Sequence, residues 1–469
     1  MRRTEWRSLL EDTCRLATTF LEGLPERPVA PRHDAAAMFA AFDRPMPASP
    51  AEPRAVIEEL VRMAEPGVIG SQSGRFFGWV IGGSLPSALA ADWMTTVWDQ
   101  NAGSSGGTPS AAAIEQVAIR WVAELLELPA TSGALVTGSQ MAHFVGLGVA
   151  RGEVLRAAGW DLEADGLTGA PAITIVIGAE RHGTIDRALR MLGFGTRQLR
   201  VVEADHEGQM HGDALADALA GDGPAIVCAQ AGNVNGGGFD PLPAIAEHVS
   251  RARTRRPVWL HLDGAFGLWA RAAPARRALA DGAEAADSWA TDGHKWLNTP
   301  YDCGIVLTRH AVAHHRTLRG GADYLPQDTP VRNAFDHAPE LSRRARGFAL
   351  WAALRELGRT GVADLVERCC AHASGLARGL AALPGVEVMN DVRLNQLVVR
   401  FRDPAGRDDD GHTRAVLQRT VDSGVCFPSA TIWRGVAAMR LSVSNWTTDD
   451  DDVRRSVEAI DRAHRGSPV

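Results

Sequence analysis

The chain has 469 residues, 45% hydrophobic and 22% charged, an ordinary globular composition long enough for two or three packed domains. A formal net charge of -7 leaves no basic stripe, which excludes nucleic acid as the expected partner and points to small molecules. Its 6 cysteines (Cys14, Cys228, Cys303, Cys369, Cys370 and Cys426) lack metal-ligand spacing and the density of a secreted scaffold, so no metal and a reducing, cytoplasmic setting are expected.

The opening "MRRTEWRSLLEDTCRLATTF" is broken by Glu5, Glu11 and Asp12 and has no apolar stretch of the signal-peptide kind. No long uninterrupted apolar run occurs elsewhere, and no membrane partner is expected. Residues 1–60 read as one or two helices joined by the proline-rich "LPERPVAPRHD" and "RPMPASPAEPR", an arm that needs another surface to lie on. Further on, Ile114, Val117, Ala118, Trp121, Val122 and Leu125 recur at helical spacing, the apolar stripe of a helix on a sheet.

Over residues 61–325, short apolar runs alternate with helical segments: "ALV" at 134–136, "ITIVIG" at 173–178, "AIVCAQ" at 225–230, "VWLHLD" at 258–263, "SWATD" at 288–292 and "GIVLTR" at 304–309. Such runs suggest strands buried on both faces, hence an α/β domain with a mostly parallel sheet whose ligands sit beyond the strand carboxyl ends. Residues 326–469 read as a smaller α+β domain: a long helical stretch from Arg346, then "VEVMN", "NQLVVRF" and "AAMRLSVS" as antiparallel strands. A closing helix is expected to be capped by Thr447 or Thr448, with Val453, Val457 and Ile460 facing inward, while "RDDDGH" reads as a solvated loop.

Four features fall at ends of these strands. "GALVTGSQMAHF" is a strand, a tight turn and a helix, so the backbone N–H groups of Gly138, Ser139 and Gln140 leave a helix N-terminus as a phosphate cradle would, although a plain strand–turn–helix has the same look. His182 follows the second run, where a histidine is either structural or functional. Asp263 ends "VWLHLD"; a buried aspartate needs a cation or good hydrogen bonds, unless it only caps a helix. Lys295 follows His294 in "SWATDGHKW", and a lysine amine forms a Schiff base with an aldehyde. One cofactor uses all four: pyridoxal 5′-phosphate needs a lysine for its aldehyde, an acid for its pyridine nitrogen, a flat group on its ring and a phosphate cradle.

From about Pro66 to Val457 the sequence resembles the group II pyridoxal-phosphate decarboxylases, the group of the aromatic amino acid and glutamate decarboxylases, through "SGRFFGWV", "VTGSQMAHFVGLGVAR", "ERHGTIDRA", "WLHLDGAFG", "ADSWATDGHKW" and "MRLSVSNWTT". The resemblance implies the aspartate aminotransferase-like fold (type I) and a homodimer over which the N-terminal arm wraps. It implies Lys295 as the cofactor tether, Asp263 as the pyridinium partner, and His182 and Ala265 on the two ring faces. Gly138, Ser139, Gln140, His294 and Asn233 would surround the phosphate, with Asp292 beside it. Arg440 would grip the substrate α-carboxylate, and Trp79 of the partner chain would line the pocket. The implied reaction is decarboxylation of an L-amino acid to an amine and carbon dioxide.

Two departures stand out. Asp292-Gly293 replaces the asparagine-proline usual before the histidine-lysine pair, and Phe335 stands where many of these enzymes carry a loop tyrosine that protonates Cα. Without that tyrosine, His182, His337, Lys295 or water must deliver the proton. The alternative outcomes are oxidative deamination, transamination, or carbon–carbon lysis or condensation.

Overall fold

The computed structural model describes residues 6–320 and 331–466. Its larger sheet has seven strands, β1 (Ser132–Val136), β2 (Thr174–Gly178), β3 (Leu199–Val202), β4 (Ala225–Gln230), β5 (Val258–Asp263), β6 (Ser288–Asp292) and β7 (Gly304–Thr308), in the order β1-β7-β6-β5-β4-β2-β3. β3, β2, β4, β5 and β6 run parallel, whereas β7 is antiparallel to both β6 and β1. Every residue of β1, β5, β6 and β7 is buried, which is why those strands read as continuous apolar runs. β3 escaped the sequence reading because it is an edge strand with Arg200 and Val201 exposed.

The N-terminal arm forms α1 (Trp6–Glu22), α2 (Ala35–Phe42) and α3 (Pro53–Ala64), none of which has a buried residue. α4 (Pro86–Trp98) and α5 (Pro109–Leu125) pack against the long helix Gly347–Ala381. That helix is broken at Gly358, whose φ of 59° and ψ of -176° lie outside the helical region. α6 (Ser139–Ala157) crosses the sheet over β5 and β6.

The smaller sheet is antiparallel throughout, with β8 (Val386–Val388), β9 (Gln396–Phe401), β10 (Ser429–Trp433) and β11 (Val436–Ser442) in the order β10-β11-β9-β8. β10, missed in the sequence, turns into β11 through Arg434 and Gly435, both at positive φ, the two-residue hairpin geometry. The closing helix, Asp450–Arg465, is capped by Asp449 rather than by a threonine: its carboxylate accepts from the Asp452 N–H, while the Thr448 hydroxyl is spent on Gly74 O and that of Thr447 on Asn445. "RDDDGH" is also a helix start, Asp408 capping Asp409–Asp422. Both acidic runs therefore sit where the helix dipole favours negative charge.

Candidate active site

The carboxyl ends of β1, β6, β5, β4 and β2 open on one edge of the sheet, and the predicted site residues lie just beyond them. Lys295 follows β6 in a loop that β7 brings back at Gly304, which pairs with both Val136 and Asp292. A Cβ on Gly304 would strike the Gly138 backbone at 2.4–2.6 Å, so only glycine lets this strand pass beneath the turn leading into α6. α6 has no side-chain cap at its N-terminus, so the N–H groups of its first turn have no side-chain acceptor from the capping position. Gly138 lies close to His294 and Asp292, a Cβ there meeting His294 Cε1 at 3.5 Å and Asp292 Oδ1 at 3.8 Å.

Asp292 is the hub of this end. Its Oδ2 accepts from Ser139 Oγ at 2.5 Å and lies 3.2 Å from Lys295 Nζ, and its Oδ1 is 3.7 Å from His294 Nε2. Burial alone would raise its carboxyl; the Lys295 ammonium, His294 and the Ser139 hydroxyl outweigh that and hold it below the ordinary value. His294 accepts the Cys303 N–H at Nδ1 (3.1 Å) and stacks on Tyr301, with ring centroids 4.3 Å apart.

The loop itself is held by Asn298, which the sequence reading did not single out. Its amide donates to Trp296 O (2.8 Å) and Ser444 O (3.0 Å), and its carbonyl accepts from the Gly83 and Trp446 N–H groups. Asn298 sits at φ 48°, a conformation that asparagine tolerates, and that is the signal its place after "HKWL" offered.

Asp263 is 5% exposed, accepts the Ala265 N–H at 3.1 Å, and lies 3.5 Å from His143 Nε2. Burial opposes its charge, but His143, the Ala265 N–H and His182 together keep the carboxyl far below its ordinary value. His182 caps the helix Gly183–Met191, its Nδ1 bonded to Thr184 Oγ1 at 2.7 Å. Its pKa is lowered by burial, against Asp263 and with Lys295, His143 and Arg440, so all four groups act on the ring.

Arg440 is buried on β11, its Nη1 3.5 Å from Asn235 Oδ1, its Nε without a partner, and no carboxylate of the described residues paired with it. Burial lowers its pKa to about 10. Such a guanidinium is costly until an anion reaches it. Trp79, half exposed at φ 53°, packs beside the stacked pair Phe76 and Phe427 and donates its backbone N–H to the hydroxyl of Ser429, the residue paired with Arg440 across β10 and β11.

Three expectations part from this geometry. Asn233 lies beyond β4, but its amide is consumed in its own turn, donating to Glu207 O and accepting from Asn235 and Gly236 N–H. Asn235, two residues on, is the one that reaches Arg440. Phe335 is buried in a single turn, Ala334–Asp336, its N–H on Gly103 O and its ring against Gly320, with no contact to Lys295. His337 packs edge-on to His314, which binds Ser132 at the start of β1, the end away from the cradle of the same chain. Tyr324 and the beginning of that loop lie outside the described residues.

Among these residues, the uncapped α6 N-terminus suits a phosphate, the Asp263 carboxylate a protonated ring nitrogen and the Lys295 amine an aldehyde, so the side chains present fit pyridoxal 5′-phosphate. The sheet order and this chemistry define an aspartate aminotransferase-like enzyme of fold type I. The pyridoxal-dependent decarboxylase conserved domain matches residues 36–402, and the chain belongs to that family. It is 26% identical to Tryptophan decarboxylase 1 of Oryza sativa subsp. japonica over 86% of this chain and 83% of the relative. It is 23% identical to 4-hydroxyphenylacetaldehyde synthase of Rhodiola rosea over 93% and 90%. A crystal structure of Oryza sativa TDC with PLP and tryptamine superposes with a TM-score of 0.91 at 22% identity, covering 99% of each chain. The chain is a pyridoxal-phosphate-dependent amino acid decarboxylase. No helix of the described residues is long and apolar enough to cross a membrane.

Proposed function

We propose that Lys295 is the cofactor tether, Asp263 the partner of the cofactor's ring nitrogen, and Arg440 the group that receives the carboxylate of an L-amino acid. The observation that carries this reading is the pairing of β5 with β6, which sets Asp263 at the end of one strand beside Lys295 just past the end of the other, on the edge where the α6 N-terminus opens. Pyridoxal phosphate, when bound, supplies an aldehyde for the amine and an electron-withdrawing ring that stabilises negative charge at the substrate Cα.

The protein's own groups do the rest. Arg440 presents a guanidinium with an unpartnered Nε and no paired carboxylate among the described residues, suited to a carboxylate. Asp263 stays anionic and holds a proton on the ring nitrogen. Asp292 neutralises the Lys295 ammonium and engages Ser139 until an anion enters the cradle. Cα is reprotonated by Lys295 or by His182, whose Nδ1 accepts from Thr184 and whose hydrogen therefore sits on Nε2.

A second reading is oxidation: when Cα is not protonated, dioxygen accepts two electrons, and amino acid, dioxygen and water yield carbon dioxide, an aldehyde, ammonia and hydrogen peroxide. The aldehyde synthase among the relatives supports keeping it in view. Purified protein with added pyridoxal phosphate is expected to release carbon dioxide and an equal amount of amine from at least one L-amino acid, without oxygen uptake. Oxygen uptake with ammonia release selects the second reading, and no carbon dioxide from any amino acid sinks both. Lys295→Ala should remove the long-wavelength cofactor absorbance and all turnover.

The chain acts as a cytoplasmic homodimer in this proposal. Apolar side chains on the arm, Trp6, Phe39, Phe42 and Leu60, stay exposed on the single chain, as does Trp79. A second copy is the surface that suits them.

A further inference from the structure

β5 carries Trp259, His261 and Asp263 at alternate positions, so all three share one face, and α6 lies across it. They are linked by a chain of buried contacts. Trp259 Nε1 donates to Ser288 Oγ at 2.9 Å, that hydroxyl is 2.8 Å from His261 Nδ1, and His261 Nε2 is 2.9 Å from His143 Nδ1. His143 Nε2 then faces Asp263 Oδ2 at 3.5 Å. Ser288, His261 and His143 are each 0% exposed.

The direction of the hydrogens follows from donor inventory. An indole nitrogen only donates, so Ser288 Oγ accepts from Trp259 and turns its own hydrogen to its other partner, His261 Nδ1; a hydrogen on Nδ1 instead would leave the buried hydroxyl with no acceptor. Burial holds His261 neutral, its pKa lowered to about 3, so its single hydrogen lies on Nε2 and points to His143. His143 then carries its hydrogen on Nε2, toward Asp263. The three hydrogen bonds donate the same way, and the chain ends with His143 Nε2 facing the Asp263 carboxylate across a 3.5 Å electrostatic contact.

The fold makes room for this at a cost. Gly146, one turn after His143 on α6, is a glycine inside a helix, where alanine is ordinarily better. A Cβ there would meet His261 Cε1 at 2.9 Å, His261 Nδ1 at 3.1 Å and Ser288 Oγ at 3.4 Å.

We propose that His143 and His261 are positioning residues in a one-way hydrogen-bond relay, Trp259 to Ser288 to His261 to His143, that fixes Asp263 as a weakly basic carboxylate and so keeps the shared proton on the cofactor's ring nitrogen. The last step rests on the role of Asp263 proposed above; the relay itself does not.

Two measurements test it. In cofactor-free protein labelled with 15N-histidine, the side-chain nitrogen spectrum is expected to show His261 and His143 both as Nε2–H tautomers at neutral pH, with Ser288→Ala releasing His261 to a mixture. A hydrogen on His261 Nδ1 in the unsubstituted protein overturns the relay, whatever reaction the enzyme performs. In the loaded enzyme, His143→Leu is expected to lower kcat about ten-fold while KM stays within about two-fold, as for groups that orient a site residue, with His143→Gln restoring part of the loss. The ring-nitrogen signal of 15N-labelled pyridoxal phosphate should move toward its unprotonated position in His143→Leu. Lost activity with that signal unmoved overturns the assignment of His143. Gly146→Ala, which touches neither Asp263 nor the cofactor, should reproduce the signal change, and an unmoved signal there counts against His261.

Discussion

Arg440 concentrates the energetics of the site in one side chain. A buried guanidinium with an unpartnered Nε destabilises the free protein and is relieved by a carboxylate, so it is worth most to binding. Arg440→Met is expected to raise KM by about 10- to 100-fold, the loss of a charge-assisted contact, with a smaller effect on kcat. The same variant should melt no lower than the parent in the absence of substrate; a fall of several degrees would show that the arginine is structural. The places of Lys295, Asp263 and His182 at strand ends were legible in the sequence because the buried strands before them read as apolar runs. His143 was not, because its contact with His261 spans 118 positions and only the crossing of α6 over β5 creates it. Alternation of Trp259, His261 and Asp263 was nevertheless visible in "VWLHLD". Asn233 and Asn235 show the opposite limit: which of two asparagines reaches the site depends on the backbone of a turn, and composition carries no trace of it.

Among the elements, the long helix Gly347–Ala381 hides its own break. Read as a pattern it is continuous, and Gly358 looks like a replaceable interior glycine, for which Gly→Ala ordinarily stabilises by about 1 kcal/mol. At φ 59° and ψ -176° it holds a conformation closed to other residues. Gly358→Ala is expected to destabilise by about 1–3 kcal/mol in urea unfolding, although nothing lies within 4 Å of the added carbon. A stabilised variant would mean that the helix runs straight. The parallel strands were readable because burial on both faces leaves uninterrupted apolar runs; β3 and β10 were not, since β3 exposes Arg200 and Val201 and β10 exposes Ala430 and Ile432.

For the whole molecule, proton linkage sets a clear acid limit. His261, His314 and His337 are buried, and burial lowers their pKa from 6.5 to about 3, about 3 and about 2. Below pH 6.5 the unfolded chain binds protons that the folded chain refuses until about pH 3, so stability present above 6.5 is lost as the pH falls, by about 1.4 kcal/mol per histidine per pH unit. Asp263 and Asp292, held below their ordinary value of 3.8, add a further loss only beneath it. The urea midpoint of the cofactor-free protein is expected to be flat above pH 7 and to fall steeply between about pH 6 and 4; a level midpoint down to pH 4 would contradict neutral buried histidines. Removing residues 1–64 is expected to leave monomers in sedimentation velocity and to abolish turnover, whereas an active dimer without them would show that the arm is dispensable. The reversed strand β7 has a consequence for synthesis as well. Because Gly304 joins Val136 on one side and Asp292 on the other, the Lys295 loop and the start of α6 cannot meet until the ribosome has released the chain beyond Thr308. The site is therefore among the last parts of the large sheet to be completed during synthesis.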